Sequence, residues 1–275
     1  MMIDQIITSH KLTEFKVVNG TSTKSFGNMS ITRDLDDSAR DNRGKFFNRL
    51  GIDHRSSVVL FPNLRHSANI ALVSRSRRNG CVDLTQRSPE IMRIKKMPGI
   101  NPPKDYILHP ESGIDACISK SDSLFIAMAL ADCAPVMFYD LITGCYALVH
   151  AGVLGAFSGI VKNTIKCMED WCDAKPPNLI CYIGPCITSR AYNLKKSGLW
   201  NVVLSNVVKK DVAENFDLKT FLSEEVKMAG LKKNNIEISP FCTATSEDMF
   251  FSNYRVASKA AKIKQGRHIS IIGRQ

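Results

Sequence analysis

Residues 123–151 read SLFIAMALADCAPVMFYDLITGCYALVHA, and this stretch decides the fold. Ser123 to Leu130 is continuously apolar after its first residue, which predicts a strand covered on both faces. Val136–Tyr139 and Cys145–Val149 are apolar and partly β-branched or aromatic, and Asp140–Gly144 between them is typical of a hairpin loop. The sequence therefore predicts a buried strand followed by a β-hairpin.

Helices and further strands extend outward from this hairpin. Ser38–Leu50 is typical of a helix that ends at a glycine, and Leu179–Ile183 and His268–Ile272 are typical of strands. Met97–Gly113, which contains four prolines, predicts a long loop. A further helix is predicted after this loop, because apolar residues recur at helical spacing and would form one face. These residues are Val161, Ile165, Met168 and Cys172.

This mixture of hairpins and isolated helices predicts an α+β fold, with a layered mixed β-sheet core flanked by helices. The chain has 275 residues, 44% of them hydrophobic and 23% charged, which is ordinary globular usage and excludes a disordered tail, a fibre or a coiled coil. No linker or change of composition divides the sequence. We therefore expect residues 1–275 to form a single domain.

The cysteines and the apolar stretches indicate the compartment of the protein. The chain has nine cysteines, an odd number, without a C-x-x-C pair, and this usage favours a reducing compartment. The first residues show no basic segment followed by an apolar one, and the longest apolar stretch is too short to span a membrane. We therefore expect a cytoplasmic protein with no membrane partner, a monomer or weak homo-oligomer.

Charge is the unusual bulk property, because the formal net charge is +11. The excess is concentrated in residues 65–105 and 249–275, which could attract nucleic acid or anionic substrates. However, the basic residues are not interleaved with aromatic ones, and no helix-turn-helix, zinc-finger or RNA-recognition pattern occurs. We expect no specific nucleic-acid partner.

The hairpin brings together two residues that carry chemistry. Pairing across its loop places Cys133 opposite His150, so both side chains are expected at the same end of the sheet. A thiol beside an imidazole can be a nucleophile with its base or half of a metal site. A buried cysteine near a structural histidine is the remaining interpretation.

Several motifs around this pair resemble one protein family. Ala131–Val136 (ADCAPV) and Val149–Gly155 (VHAGVLG) are similar to the A-D-C-x-P-V and H-A-G-W-R-G blocks of the laccase-domain family, also called YfiH-like or multicopper polyphenol oxidase-like. Weaker matches follow in family order from about residue 28 to the C-terminus. They are Asn42-Arg43, Leu64–Ser67, Ile114–Cys117, Ile183–Cys186, Phe250–Arg255 and Gly266-Arg267.

The resemblance implies a fold, a metal and a set of site residues. Family members have a YfiH-like fold, similar to the cytotoxic-necrotizing-factor deamidase domain, and bind a metal, usually zinc. Carried over to this chain, the ligands are His66, Cys133 and His150, with copper as an alternative metal at the same site. Cys133, His150 and Asp132 are the expected catalytic residues, and Asp132 could orient a ligand or cap a turn. We expect substrate or phosphate to be bound by Arg43, Gly155, Arg255 and Arg267.

The chain also departs from the family pattern. Val153 and Leu154 stand in place of the Trp and Arg of H-A-G-W-R-G, and Tyr254 stands in place of the first Arg after F-F-S. Those family groups are the ones expected to hold an anion, so their loss puts phosphate binding in question. The helix expected to begin after Gly155 could supply backbone N–H groups to an anion instead.

The resemblance implies a zinc-dependent purine nucleoside phosphorylase that splits adenosine, inosine or methylthioadenosine with phosphate and also has adenosine deaminase activity. A copper polyphenol oxidase is one alternative, although six histidines without an H-x-H or H-C-H motif are too few for a multicopper cluster. A Cys/His hydrolase and a non-catalytic metal-binding relative are the other two. The expected partners are therefore a small-molecule nucleoside and phosphate.

Overall fold

The computed structural model contains two β-sheets that pack face to face. It describes residues 5–31, 38–53, 56–75, 82–86, 105–108, 113–199, 201, 214–258 and 265–275. The first sheet has six strands in the order β1-β2-β13-β8-β3-β6, and the second has seven in the order β12-β11-β9-β10-β7-β4-β5. The strands are β1 (Ile6–Ile7), β2 (Val18–Ser22), β3 (Val58–Pro62), β4 (Ile70–Arg75), β5 (Val82–Gln86), β6 (Asp105–Leu108), β7 (Ala116–Ser119), β8 (Leu124–Leu130), β9 (Ala134–Asp140), β10 (Tyr146–Ala151), β11 (Leu179–Ile183), β12 (Ile236–Ile238) and β13 (His268–Arg274).

Helices cover the outer faces of both sheets. The described α-helices are α1 (His10–Glu14), α2 (Ser38–Arg49), α3 (Val153–Phe157), α4 (Ile160–Cys172), α5 (Leu218–Met228) and α6 (Asn253–Ser258). Short 3-10 turns occupy Lys24–Phe26, Pro176–Asn178 and Lys233–Asn235. Apolar side chains of α2 pack on the first sheet, and those of α4 and α5 pack on the second. No helix in the described ranges is both long and apolar enough to cross a membrane.

The α+β layering predicted from the sequence is confirmed. A buried cluster with Leu60, Ile126, Met137 and Tyr182 joins the inner faces of the two sheets. β8 lies inside the first sheet between β13 and β3, which explains its almost entirely apolar sequence. That the chain forms a single domain stays a prediction.

The hairpin β9–β10 forms as predicted, but its register differs by two residues. Pro135, not Cys133, lies opposite His150. The reason is the length of the turn: Asp140 Oδ1 accepts the backbone N–H groups of Ile142 and Thr143 at 3.0 and 2.7 Å, and Gly144 adopts a positive φ of 68°. A shift of two residues leaves every side chain on its predicted face.

Three other sequence predictions can be compared with the structure. The helix face of α4 is confirmed, and so is the strand over Leu179–Ile183. The loop predicted for Met97–Gly113 is wrong in part, because β6 (Asp105–Leu108) lies inside it and pairs in parallel with β3. The rest of that loop, apart from Gly113, lies outside the described residues.

Candidate active site

Asp115 organises the loop that carries the first site histidine. It directly precedes β7, is fully buried, and accepts three consecutive backbone N–H groups from the loop after β3. Arg65 and His66 donate to Oδ1 at 3.1 and 3.0 Å, and Ser67 donates to Oδ2 at 2.7 Å. These bonds hold His66 in a left-handed conformation, with φ of 58°, which non-glycine residues rarely adopt.

The same carboxylate orients the second histidine. His150, in β10, is 3% exposed, and its Nδ1 lies 2.7 Å from Asp115 Oδ1. Its backbone N–H donates to the Asp115 carbonyl at 2.7 Å. A buried carboxylate fixes a proton on Nδ1, so Nε2 is the nitrogen left to face the site.

Cys133 completes a group of three potential ligands. Its Sγ lies 3.6 Å from Nε2 of His66, and one ligand atom each from His66, Cys133 and His150 lie within 4.8 Å of one another. The two imidazole rings meet edge to face with centroids 4.7 Å apart. Because a nitrogen, a sulfur and a nitrogen converge, these side chains could hold a metal ion.

Gly152 makes this close approach feasible. A Cβ at this position would lie 2.9 Å from Cδ2 of His66 and 3.0 Å from Sγ of Cys133. Real Cβ atoms essentially never come as close as the 2.9 Å to His66, and the distance to Cys133 is tighter than nearly all real Cβ contacts. The glycine of the H-A-G segment is therefore required by the packing of the site.

Charges in the site favour a thiolate beside an imidazolium. Burial alone would raise the pKa of Cys133, but the charge of His150 and contacts with both imidazoles lower it overall. Burial alone would lower the pKa of His150, but the Cys133 thiolate and Asp115 raise it overall. Burial would likewise raise the pKa of Asp115, and the hydrogen bonds from His150 and Ser67 lower it overall.

Asp132 accepts hydrogen bonds from three other segments. Thr243 Oγ1 donates to its Oδ1 at 2.8 Å, and the backbone N–H of Tyr254 donates to its Oδ2 at 2.7 Å. Its carbonyl accepts the N–H of Ile187 at 2.8 Å. With φ of 89°, Asp132 turns the chain between β8 and Cys133.

Two cavities open beside Cys133 and His66. The larger, of about 690 Å³, is walled by Val153, Leu154, Tyr192, Leu199 and Tyr254 among others. The smaller, of about 190 Å³, is lined by both histidines together with Ser30, Asn253 and Arg267. Cys133 and His66 line both cavities, so these two residues lie at their junction.

The three arginines expected to bind phosphate differ in what their side chains contact. Arg267 lines the smaller cavity, and its guanidinium donates to Asn253 Oδ1 at 2.9 Å. Arg43 is buried in α2 and donates to the carbonyl of Ser30 at 2.7 Å. Arg255 is 5% exposed and donates to the carbonyls of Thr243, Ala244 and Phe250.

Gly155 lies inside the short helix α3, which begins at Val153. The helix predicted to begin after Gly155 is present as α4, which begins at Ile160. A Cβ on Gly155 would lie 3.2 Å from the carbonyl oxygen of Ser67 and 3.6 Å from that of His150. The glycine therefore lets α3 pack against the backbone of both site segments.

The weak Ile114–Cys117 motif match includes Asp115 but assigns it no role. Its signal was an acidic residue at the head of an otherwise apolar strand, Ile114–Ile118. Such a residue is buried with the strand, and a buried carboxylate requires several donors. The sequence did not say that those donors come from the neighbours of one site histidine and from the other.

Residues 13–275 match a family model described as multi-copper polyphenol oxidoreductase laccase. The chain belongs to this laccase family. The name does not extend to a multicopper cluster here, since the chain has six histidines in all. Among the described residues, the potential metal-binding group consists of His66, Cys133 and His150.

Curated relatives of this laccase-family chain carry another activity in their names. Purine nucleoside phosphorylase of Bacteroides thetaiotaomicron is 26% identical over 162 residues, which is 56% of this chain and 60% of that protein. Purine nucleoside phosphorylase YlmD of Bacillus subtilis is 27% identical over 167 residues, 58% of each chain. A Corynebacterium glutamicum protein named purine nucleoside phosphorylase is 27% identical over 227 residues, 78% of this chain and 90% of that protein. The chain thus spans about 60% of the length of the first two relatives.

Solved structures support the fold over the whole chain. YfiH of Bacillus licheniformis superimposes with a TM-score of 0.74 and 20% identity, covering 100% of this chain and 98% of that one. YlmD of Geobacillus stearothermophilus superimposes with a TM-score of 0.75 and 20% identity, covering 100% and 97%. These neighbours confirm the YfiH-like fold that the sequence motifs predict.

Proposed function

We propose that this chain is a metal-dependent purine nucleoside phosphorylase whose zinc ligands are His66, Cys133 and His150. The observation that carries the proposal is the convergence of these three donor atoms within 4.8 Å, at the junction of two cavities. Two cavities suit a reaction with two substrates, one nucleoside and one phosphate. The names of the curated relatives point to the same reaction.

The donor set fits zinc. Structural zinc sites are closed by four protein ligands, whereas catalytic ones have three N, S or O ligands and one open position. His150 offers Nε2 because Asp115 occupies its Nδ1, and Cys133 offers a thiol whose pKa is lowered. When bound, zinc would polarise a reacting oxygen or acidify a water. His₂Cys is also the equatorial set of blue copper, so the metal content of the purified protein is part of the test.

We assign the larger cavity to the nucleoside. Its volume of about 690 Å³ lies within the range of about 300–1,000 Å³ typical of small-molecule sites. The rings of Tyr192 and Tyr254 meet at 70° with centroids 5.4 Å apart on its wall. Aromatic rings and the aliphatic side chains of Val153 and Leu154 provide the surface that a purine needs for stacking and for exclusion of water.

We assign the smaller cavity to phosphate. Arg267 would bind the anion directly, with Asn253 fixing the guanidinium. Arg43 would not touch phosphate but would position Ser30, which lines this cavity, by donating to its carbonyl. Arg255 and Gly155 would shape the site by holding its backbone rather than by touching phosphate. From this cavity a phosphate oxygen would attack the anomeric carbon of the ribose, and the electron pair of the broken glycosidic bond would go to the purine in the larger cavity.

The test is a product assay with defined metal content. Zinc-loaded protein is incubated with adenosine, inosine or methylthioadenosine, with and without phosphate, and bases and nucleosides are separated by chromatography. Phosphate-dependent release of free base, lost in Cys133→Ser and retained in Cys167→Ser, is the expected result. Absence of base from well-folded, zinc-loaded protein with all three nucleosides would overturn the proposal. Inosine formed from adenosine without phosphate would identify the deaminase activity.

One observation favours a second candidate, a Cys/His hydrolase. The lowered pKa of Cys133 beside His150 is also what activates a nucleophilic thiol. The two candidates differ in their response to a chelator. Loss of base release from nucleosides on chelation, with recovery on adding zinc, supports the metal enzyme. Activity that survives chelation and disappears on alkylation of Cys133 supports the hydrolase.

A further inference from the structure

Two cysteines outside the site lie on paired segments beside the second sheet. Cys186 follows β11, and Cys242 lies between β12 and α6. Their backbones pair as an isolated parallel bridge, and the N–H of Thr243 donates to the carbonyl of Cys186 at 3.1 Å. The bridge continues the pairing of β11 with β12, so the two segments run side by side in the same direction.

This pairing places the Cα atoms of the two cysteines within the range that a disulfide requires. Paired residues of neighbouring strands have Cα atoms about 5 Å apart, and their side chains point to the same face. A disulfide requires a Cα separation of about 4.4–6.8 Å. Both cysteines carry free thiols in the structure.

The two thiols differ in access. Cys186 is fully buried, whereas Cys242 is 5% exposed and lines a polar cleft of about 420 Å³ together with Lys219 and Thr245. Burial would raise the pKa of Cys242, but contacts with Thr188 and Thr245 lower it overall. Burial is also the main reason that the pKa of Cys186 is raised. Cys242 is therefore the thiol that an entering oxidant meets first, in its more reactive form.

We infer that Cys242 and Cys186 are a peroxide-oxidisable pair, in which Cys242 is oxidised first and Cys186 then closes a disulfide. The Cys242 thiolate attacks one oxygen of hydrogen peroxide: the S–O bond forms, the O–O bond breaks, and hydroxide leaves. The sulfur of Cys186 then attacks the sulfur of the sulfenic acid, and the hydroxide that leaves takes up the Cys186 proton as water. Two thiols are oxidised by two electrons, and peroxide is reduced to water.

The pair is connected to the candidate active site through Asp132. The residue after Cys186, Ile187, donates its N–H to the Asp132 carbonyl, and the residue after Cys242, Thr243, donates its hydroxyl to the Asp132 carboxylate. A disulfide would therefore tie together the two segments that hold Asp132, next to Cys133. The inference does not depend on the proposed function, because bond formation is read without an activity assay.

The test maps disulfides after mild oxidation. Reduced wild-type protein and a Cys133→Ser variant, which removes the competing site thiol, are treated with hydrogen peroxide, alkylated and digested without reductant. Mass spectrometry is expected to find the Cys186–Cys242 cross-linked peptide in both, reversed by dithiothreitol. During peroxide treatment, the fraction of Cys242 that can still be alkylated should fall about tenfold faster than that of the fully buried Cys117 and Cys181.

Two matched variants separate the roles of the two thiols. In Cys186→Ala, oxidation should stop at a sulfenic acid on Cys242 that dimedone traps, and in Cys242→Ala, Cys186 should remain reduced. The inference is overturned if folded wild-type protein gives no cross-linked peptide while Cys242 stays as unreactive as Cys117. It is also overturned if Cys186 is oxidised equally well in Cys242→Ala.

Discussion

Oδ1 of Asp115 is 2.7 Å from Nδ1 of His150 and accepts the backbone N–H of His66 at 3.0 Å. One carboxylate oxygen thus sets the ring orientation of one candidate ligand and the backbone position of the other. Because Asp115 is fully buried and its carboxylate accepts from Ser67 as well, it has little freedom to move. The relative placement of the two imidazoles is therefore built into the fold before any metal arrives.

Asp115→Asn is expected to weaken zinc binding by about 10–100-fold, the usual cost of removing a carboxylate behind a ligating histidine. The asparagine loses one acceptor oxygen and cannot serve all the donors around it. Competition with a chromophoric chelator measures the affinity. Asp170→Asn, at an exposed helical ion pair with Lys166, is the control and should bind like wild type. Equal affinities for Asp115→Asn and wild type, with both folded, would show that Asp115 does not position the ligands.

Gly152→Ala is expected to disrupt the site without a change in ligand chemistry. The added methyl would come within 3.0 Å of both His66 and Cys133, so at least one donor must move. We expect a loss of zinc affinity of at least about 10-fold, measured by the same competition. Gly44→Ala, in α2 with nothing within 4 Å of the new Cβ, should leave affinity unchanged and stabilise the helix by about 0.5–1 kcal/mol. Normal zinc binding by Gly152→Ala would contradict the packing argument.

Local patterns were sufficient to predict the elements around the site. The apolar run of β8, the hairpin β9–β10 and the helix face of α4 each follow from the spacing of apolar residues over a short window. The family motifs identified Cys133 and His150, and the structure places both at one end of the hairpin. The predicted register was wrong by two residues because the pattern of apolar side chains does not fix the length of the turn. That length depends on Asp140, whose carboxylate binds the N–H groups inside the loop.

Long-range contacts could not be predicted in the same way. Asp115 and His66 are separated by 49 residues and meet only because β4 and β7 pair in parallel. Asp132 and Thr243 are 111 residues apart. No periodicity in a single sequence encodes such pairings, so the network behind the ligands had to come from the structure.

Arg267→Gln is expected to raise the KM for phosphate by about tenfold or more while changing the KM for the nucleoside much less. A charge-assisted hydrogen bond to an anion is worth about 1.5–3 kcal/mol, and Arg267 lines the smaller cavity and not the larger one. Initial rates at varied phosphate and fixed nucleoside measure the effect. The exposed Arg49→Gln at the end of α2 controls for net charge. Equal increases in both constants would contradict the assignment of the smaller cavity to phosphate.

His268→Phe is expected to make the protein less sensitive to acid. His268 is fully buried at the start of β13, neither ring nitrogen has a hydrogen-bond partner among the described residues, and the Phe250 ring lies 5.5 Å away. Burial, and to a lesser degree the charge of Arg267, lower its pKa from 6.5 to about 3. Since the unfolded chain takes up the proton below pH 6.5 and the folded one does not until about pH 3, this residue's contribution to stability is complete above pH 6.5 and is lost as the pH falls. Wild type should lose up to about 1.4 kcal/mol of unfolding free energy per pH unit more than His268→Phe between these limits. Urea unfolding at a series of pH values measures the difference, and parallel curves for the two proteins would show that His268 is already protonated in the folded state.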